Sequence, residues 1–224
     1  MLKKLLELVS FSNGRELSED KAVINKNIIL AKSPDGTVAV RVELKKELFD
    51  QKIGIPVKKT LNFLNLFKEP VIKIKENRLI IQQGKKKISV LLVEPSLVKS
   101  AFEEAKFASL KENLVGAEVY TANLDTIKEV LSKYFALGEP ISQCTFEKEE
   151  LTFEIGNDNT NNIVDTIEVK GNGSKVSVKL GQAFIDAISV LEGEAAIFVK
   201  ENKPILVSKE TDDYRVEILI AQVG

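Results

Sequence analysis

Glu147-Lys-Glu-Glu150 gathers three carboxylates, the ligand type that hard cations take. No second ligand set stands at a useful spacing, and strand-like alternation runs on both sides, so a solvated hairpin turn is expected there. Gly171-Asn-Gly-Ser-Lys175 has the composition of a phosphate-cradling loop. It lacks the Gly-x-x-x-x-Gly-Lys-Ser/Thr spacing and opens no helix, so a hairpin connection is expected instead. Cys144 alternates with Phe146 as an inward-facing strand residue would, which points to an inert buried thiol. As the only cysteine it forms no intramolecular disulfide, and a chain of this kind suits a reducing compartment. Histidine and tryptophan are both absent. The missing histidine removes the commonest general base together with the commonest transition-metal ligand. No catalytic residue, metal site or cofactor is therefore expected.

Binding, by contrast, needs no such set. The 224 residues carry 32 basic and 33 acidic side chains, a net charge of -1, so any basic surface for nucleic acid must be local. Four segments have apolar residues at helical spacing, and lysines stand in the first three of them: Leu2, Leu5, Leu6 and Val9; Val57, Leu61, Leu64 and Phe67; Leu124, Ile127, Leu131 and Tyr134; Phe184, Ile185, Ile188 and Leu191. Asn123 is a plausible cap for the third, which Gly138 and Pro140 close, and Gly193 ends the fourth.

Period-two alternation fills most of the remainder and predicts strands. It is clearest from Val38 to Leu44, and recurs at Ile72 and Ile74, Ile88 to Leu92, Leu151 to Ile155, Val176 to Leu180 and Val216 to Ile220. Turn residues punctuate it, among them Pro34-Asp-Gly36, Glu76-Asn77 and Gln83-Gly84. The opening Met1 to Val9 is apolar with two lysines, but Glu7 interrupts it and no small-residue cleavage site follows, so a signal peptide is not expected. With no stretch long and apolar enough to span a bilayer, a cytoplasmic protein without membrane contact is expected.

Each half of the chain reads helix, three or four strands, helix, three strands. Leu61, Leu64 and Phe67 superpose on Ile185, Ile188 and Leu191, and after a one-residue gap Val71 to Asn77 falls on Ala196 to Asn202. A shared Lys-Glu-Asn turn, Lys75 to Asn77 and Lys200 to Asn202, ends both segments at one sequence offset with apolar alternation on both sides. The length allows one large domain or two of about 110 residues, and either buries enough apolar surface to fold. The fold class expected is α+β, with two similar domains of antiparallel sheets and two short helices each. Residues 1–95 and 117–224 form the domains, and 96–116 forms a connector that crosses the surface, with a possible short helix between Ser96 and Ser109.

Two short helices and a run of hairpins, given twice and joined by a long connector, resemble the DNA sliding-clamp family that includes proliferating cell nuclear antigen. The likeness is greatest to the clamps of T-even phages. Lys75-Glu-Asn-Arg-Leu-Ile-Ile81 through Ile88 to Ser96 is similar to the last hairpin of their first domain and the connector entry. Ala117 to Leu124 through Leu151 to Ile155 is similar to the strand, helix and hairpin that open their second domain. The resemblance implies a ring with a strand-built outer wall and helices lining a hole for duplex DNA. Family rings hold six such domains, so this chain should close as a homotrimer, setting Ile88 to Leu92 beside Ile163 to Val169 of the next subunit.

The same resemblance implies a non-enzymatic processivity factor for a replicative DNA polymerase, loaded by an ATP-driven clamp loader, in the host cytoplasm if phage-encoded. The DNA-facing residues would be Lys3, Lys4, Lys58, Lys59, Lys128 and Lys133, offset by Glu7, Asp125, Glu129 and Asp186, with Lys179 at the entrance to the fourth helix. A mildly basic lining suits sliding, because each phosphate contact adds a salt-dependent hold. The partner-peptide pocket would use Leu97, Val98, Phe107, Ile220, Ala221 and Val223, with Phe102 a weaker candidate, since apolar peptide docking needs a concave apolar patch near the surface. The competing reading is a strand-rich oligomeric assembly protein of virion type that never touches DNA. A carboxylate hydrolase is a third class, for which the sequence offers no constellation.

Overall fold

The computed structural model describes residues 1–10, 21–33, 35–98, 103–136, 141–156, 163–171 and 173–222. Pro34, Phe102, Gly138, Pro140, Asn172 and Val223, all named above, lie outside them. The chain divides into two compact units, Met1–Glu104 and Ala105–Gly224. The change of unit falls inside the segment read as a connector.

The first unit opens with helix α1 (Leu2–Leu8), followed by strands β1 (Lys21–Asn25), β2 (Ile28–Lys32), β3 (Val38–Leu44) and β4 (Ile53–Pro56). Helix α2 (Val57–Leu64) leads into β5 (Val71–Lys75), β6 (Arg78–Gln83) and β7 (Lys86–Leu91). Its strands lie in the orders β4-β1-β2-β3 and β5-β6-β7, every pair antiparallel. Leu2, Leu5, Leu6 and Val9 are all buried, as their spacing requires, and α1 packs against α2. On α2 the buried set is Val57, Thr60 and Leu64. Thr60 belongs there because its hydroxyl donates to the Pro56 carbonyl at 2.6 Å, which removes the cost of burying it.

In the second unit a short helix α3 (Glu104–Glu112), begun by the last residue of the first, precedes β8 (Glu118–Asn123) and α4 (Leu124–Ala136). Then come β9 (Ile141–Glu147), β10 (Glu150–Ile155), β11 (Ile163–Glu168), β12 (Val176–Val178), α5 (Gln182–Ser189), β13 (Glu194–Val199), β14 (Ile205–Glu210) and β15 (Tyr214–Ile220). The strand orders are β12-β9-β10-β11 and β8-β13-β14-β15. Asn123 Oδ1 accepts from the backbone N–H of Asp125 at 2.9 Å and of Thr126 at 3.4 Å, capping α4 as its position predicts. Leu124, Ile127, Leu131 and Tyr134 are buried beneath it. At roughly 1.5–3 kcal/mol for each large side chain, that stripe outweighs any deficit in helix propensity.

The duplication is thus complete from α1 in the first unit and from α4 in the second onward. The order β4-β1-β2-β3 matches β12-β9-β10-β11, and β5-β6-β7 matches β13-β14-β15. Strand β8 is the exception, since no strand among the described residues stands beside β5 in its place.

Three expectations need correction. The segment Gly171 to Lys175 does not close a hairpin: β11 pairs with β10 and β12 pairs with β9, so it crosses from one side of the sheet to the other. Its glycines serve close approach, because a Cβ on Gly171 would sit 2.5 Å from the Tyr120 ring and one on Gly173 2.5 Å from Glu118. The repeated Lys-Glu-Asn sequence does not build the same turn twice. In the first unit it belongs to a two-residue hairpin in which Lys75 pairs with Arg78 and Glu76 takes φ 55°. In the second, β13 and β14 are joined by a longer loop in which Asn202 takes φ 56°. Finally, the short helix offered between Ser96 and Ser109 stands later, at Glu104–Glu112, where it buries Phe107 to 2% exposure while most of the described segment stays exposed.

Candidate nucleic-acid interface

Burial of one face of each helix dictates what the other face offers. On α1 the buried leucines leave Lys3, Lys4 and Glu7 exposed, with Lys3 Nζ 4.0 Å from the Glu7 carboxylate. On α2 the buried Val57, Thr60 and Leu64 leave Lys58, Lys59 and Asn62 exposed. The first unit therefore carries four lysines against one glutamate on its two packed helices. A weak pair such as Lys3 with Glu7, both half-exposed, is worth little in water.

The helices of the second unit are built differently. Lys128 turns inward across the helix pair: its ammonium meets Asp125 at 2.7 Å and donates to the Leu191 carbonyl, at the end of α5, at 2.7 Å. Asp125 also accepts from the Gly193 backbone N–H at 2.7 Å. The hydrogen bond from Lys128, helped by that from Gly193, holds the Asp125 carboxyl below its ordinary value. Lys128 is thus half-buried and engaged in joining α4 to α5, while Lys133 is exposed with its ammonium 5.3 Å from the Tyr134 ring centroid. Asp125 and Glu129 are exposed on α4, Asp186 is half-buried on α5, and Lys179 is exposed just before it.

The residues expected to receive a partner peptide divide by burial. Leu97 is 68% exposed on a single 3-10 turn, Pro95–Leu97, and Ala221 is exposed just after β15. Val98, Phe107 and Ile220 are buried. Val98 nevertheless lines a cleft of about 740 Å³ in the first unit, together with Val23, Ile28, Leu30 and Pro95 and with Glu94, Glu103 and Glu104 at its rim. Spacing did not reveal this cleft, because β1 and β2 each bury three consecutive residues and show no alternation. Within the second unit, Glu217 on β15 is buried at 3% exposure and held by Lys111 of α3 at 2.5 Å and Arg215 at 3.2 Å, fastening that helix to its sheet.

Strand edges form the last element of the surface. Strand β7 ends the three-stranded sheet and leaves Leu91 52% exposed, while β11 ends its four-stranded sheet and leaves Val164 61% exposed. Cys144 is fully buried, and burial pushes its thiol far above the usual range, so it offers no nucleophile. Glu147 and Glu150 close the β9–β10 hairpin around Lys148 and Glu149, with Glu147 3.7 Å from Lys175. Among the described residues no group of His, Cys, Asp or Glu side chains could hold a metal ion, and no helix is long and apolar enough to cross a membrane.

No protein-family model matches the sequence, and no curated protein matches it. Solved structures do. The DNA polymerase sliding clamp of Pseudomonas aeruginosa aligns over 100% of this chain with a TM-score of 0.76 at 14% identity. The PCNA of Thermococcus kodakaraensis aligns over 99% at 0.71 and 18%, and that of A. fulgidus, solved with the C-terminal region of FEN-1, over 99% at 0.70 and 15%. The chain has the DNA-clamp fold. It spans 64% of the length of the Pseudomonas clamp and 96% of each PCNA. A clamp fold of this length holds two of the duplicated units described above, and the expected α+β class is the one found.

Proposed function

We propose that the chain is one subunit of a ring-shaped sliding clamp that encircles duplex DNA without sequence preference and tethers the replicative DNA polymerase. It is a non-enzymatic processivity factor in this reading, of the T-even-phage type, placed on DNA by an ATP-driven clamp loader. The observation that carries the reading is the match of both units, along the whole chain, to sliding clamps, joined to the four exposed lysines of α1 and α2. Enclosure needs only weak attraction: a few lysines lower the electrostatic cost of threading a polyanion and make the hold salt-dependent without selecting bases.

Two units per chain and six per ring make a homotrimer. In the ring, β7 of one subunit lies beside β11 of the next, covering Leu91 and Val164 and removing two sheet edges that would otherwise invite uncontrolled pairing. Apolar segments of the polymerase and loader dock at the surface around Leu97, with the cleft beside Val98 as the concavity such docking needs. Lys3, Lys4, Lys58 and Lys59 face DNA, Lys133 assists, and Lys128 acts mainly by fixing α4 to α5.

Retention on DNA tests the reading. A sedimentation mass of three chains is expected, with the loaded protein kept on circular DNA and lost once the circle is cut. A single-chain mass at every concentration, or equal retention on circular and linear DNA, would sink it.

A further inference from the structure

The two units differ at one sheet edge, and the filled edge shows what the open one accepts. In the second unit β8 is held from two sides. It pairs along its whole length with β13, and Thr121 exchanges backbone hydrogen bonds of 2.7 and 2.8 Å with Lys170 on the β11–β12 crossing. Tyr120, opposite Ile197, is fully buried and donates its hydroxyl proton to the Ser174 carbonyl at 2.9 Å. Ile197 and Val199 are fully buried in consequence.

The first unit has the same two walls. Val71 to Lys75 of β5 correspond to Ala196 to Lys200, and the β3–β4 crossing at residues 45–52 corresponds to the β11–β12 crossing. Between these walls lies a cleft of about 540 Å³ lined by Leu48, Phe49, Asp50, Gln51, Ile74 and Glu76. Ile72 and Ile74, the counterparts of Ile197 and Val199, are only half-buried, and among the described residues nothing pairs with the outer edge of β5. Unpaired edge N–H and C=O groups beside a partly exposed apolar row are what strand addition uses.

We propose that this edge takes one extended segment of a partner protein, antiparallel to β5, apolar opposite Ile72 and Ile74 and acidic opposite Lys73. Lys73 stands where the second unit has Phe198, and with Lys75 it is exposed on the outward face. A second copy of β5 would set lysine against lysine, which disfavours self-pairing, whereas a carboxylate in the cross-strand position is attracted. Asp50 and Glu76 at the turn end of the cleft repel further acids there, which confines the negative charge to the middle of the incoming strand.

A direct probe is a synthetic peptide reproducing Glu118–Asn123 with Glu118→Val and Val119→Glu changes, since Glu118 stands opposite Val199 and Val119 opposite Phe198. Binding to the full chain is followed by fluorescence anisotropy, and amide exchange is followed at residues 71–75. Binding is expected to slow exchange at β5 and to be abolished when alternate peptide amides are N-methylated. The pair K73E/K75E, both exposed, should weaken it at least tenfold, and a peptide with lysine in place of the glutamate should recover the loss. Absence of binding, or binding indifferent to both changes, would overturn the proposal. So would amides at 71–75 already protected in the isolated chain, which would mean that its own residues cover the edge. A change of assembly mass in K73E/K75E would assign the edge to contacts between copies and overturn it as well. Because DNA is absent from the measurement, the outcome is separate from that of the sliding test.

Discussion

The two units share an architecture yet divide the work of charge and closure unequally. In the first, α1 and α2 carry four lysines against one glutamate, all exposed, while among the described residues no strand pairs with the outer edge of β5. In the second, α4 and α5 carry two lysines against three carboxylates, one lysine is tied down between the helices, and β8 covers the corresponding edge. A duplicated core therefore constrains only the residues that face inward. The outward faces were at liberty to diverge, and exposed lysines have collected on one copy while internal fastening has collected on the other.

The largest effect should come from the covered edge. Ile197→Ala removes packing from a site with no exposure and is expected to cost about 2–5 kcal/mol, whereas Ile72→Ala at the open edge should cost about 1 kcal/mol. Urea denaturation of the two variants measures the difference, and equal losses would deny that the edges differ. Next in size, replacing Lys3, Lys4, Lys58 and Lys59 together by glutamate should reduce retention on circular DNA more than tenfold without loss of folded structure. Lys133→Glu alone should have a much smaller effect. If the two reversals were equivalent, the assignment of charge to the first unit would fail.

A smaller and pH-dependent effect belongs to the α4–α5 fastening. The folded-state value of Asp125 lies below its ordinary 3.8, so its contribution to stability is present above that value and is lost as the pH falls through the folded one. Stability of the parent protein and of Asp125→Asn should therefore differ at neutral pH and converge in acid, as followed by denaturation at a series of pH values. Least of all, Lys148→Gly should stabilise by about 0.5–1 kcal/mol, because Lys148 holds φ 51° in a two-residue hairpin where a side chain is strained. A thermal melt detects the gain.

Much of this organisation was legible in the residues. The stripe of α4 and its Asn123 cap, the strand from Val38 to Leu44 and the hairpin at Glu147 to Glu150 stand where spacing puts them. Legibility failed wherever burial did not follow one face. Strands β1 and β2 bury three residues in succession, so no alternation marks them. Helix α3 buries little beyond Phe107 and so has no apolar stripe to announce it. Lys128 and Lys133 look alike in sequence, and only the position of the Leu191 carbonyl separates them.

What the sequence by itself determined is the periodic content of each element and the repetition of their order, because local spacing settles which face of a helix or strand can be buried. Which strands are neighbours was decided by tertiary structure alone: the crossing at Gly171 to Lys175, the turn built from the second Lys-Glu-Asn, and the strand that covers β13 but not β5. Pairing joins groups distant along the chain. Its free energy resides in edges, crossings and close approaches that no stretch of residues specifies alone.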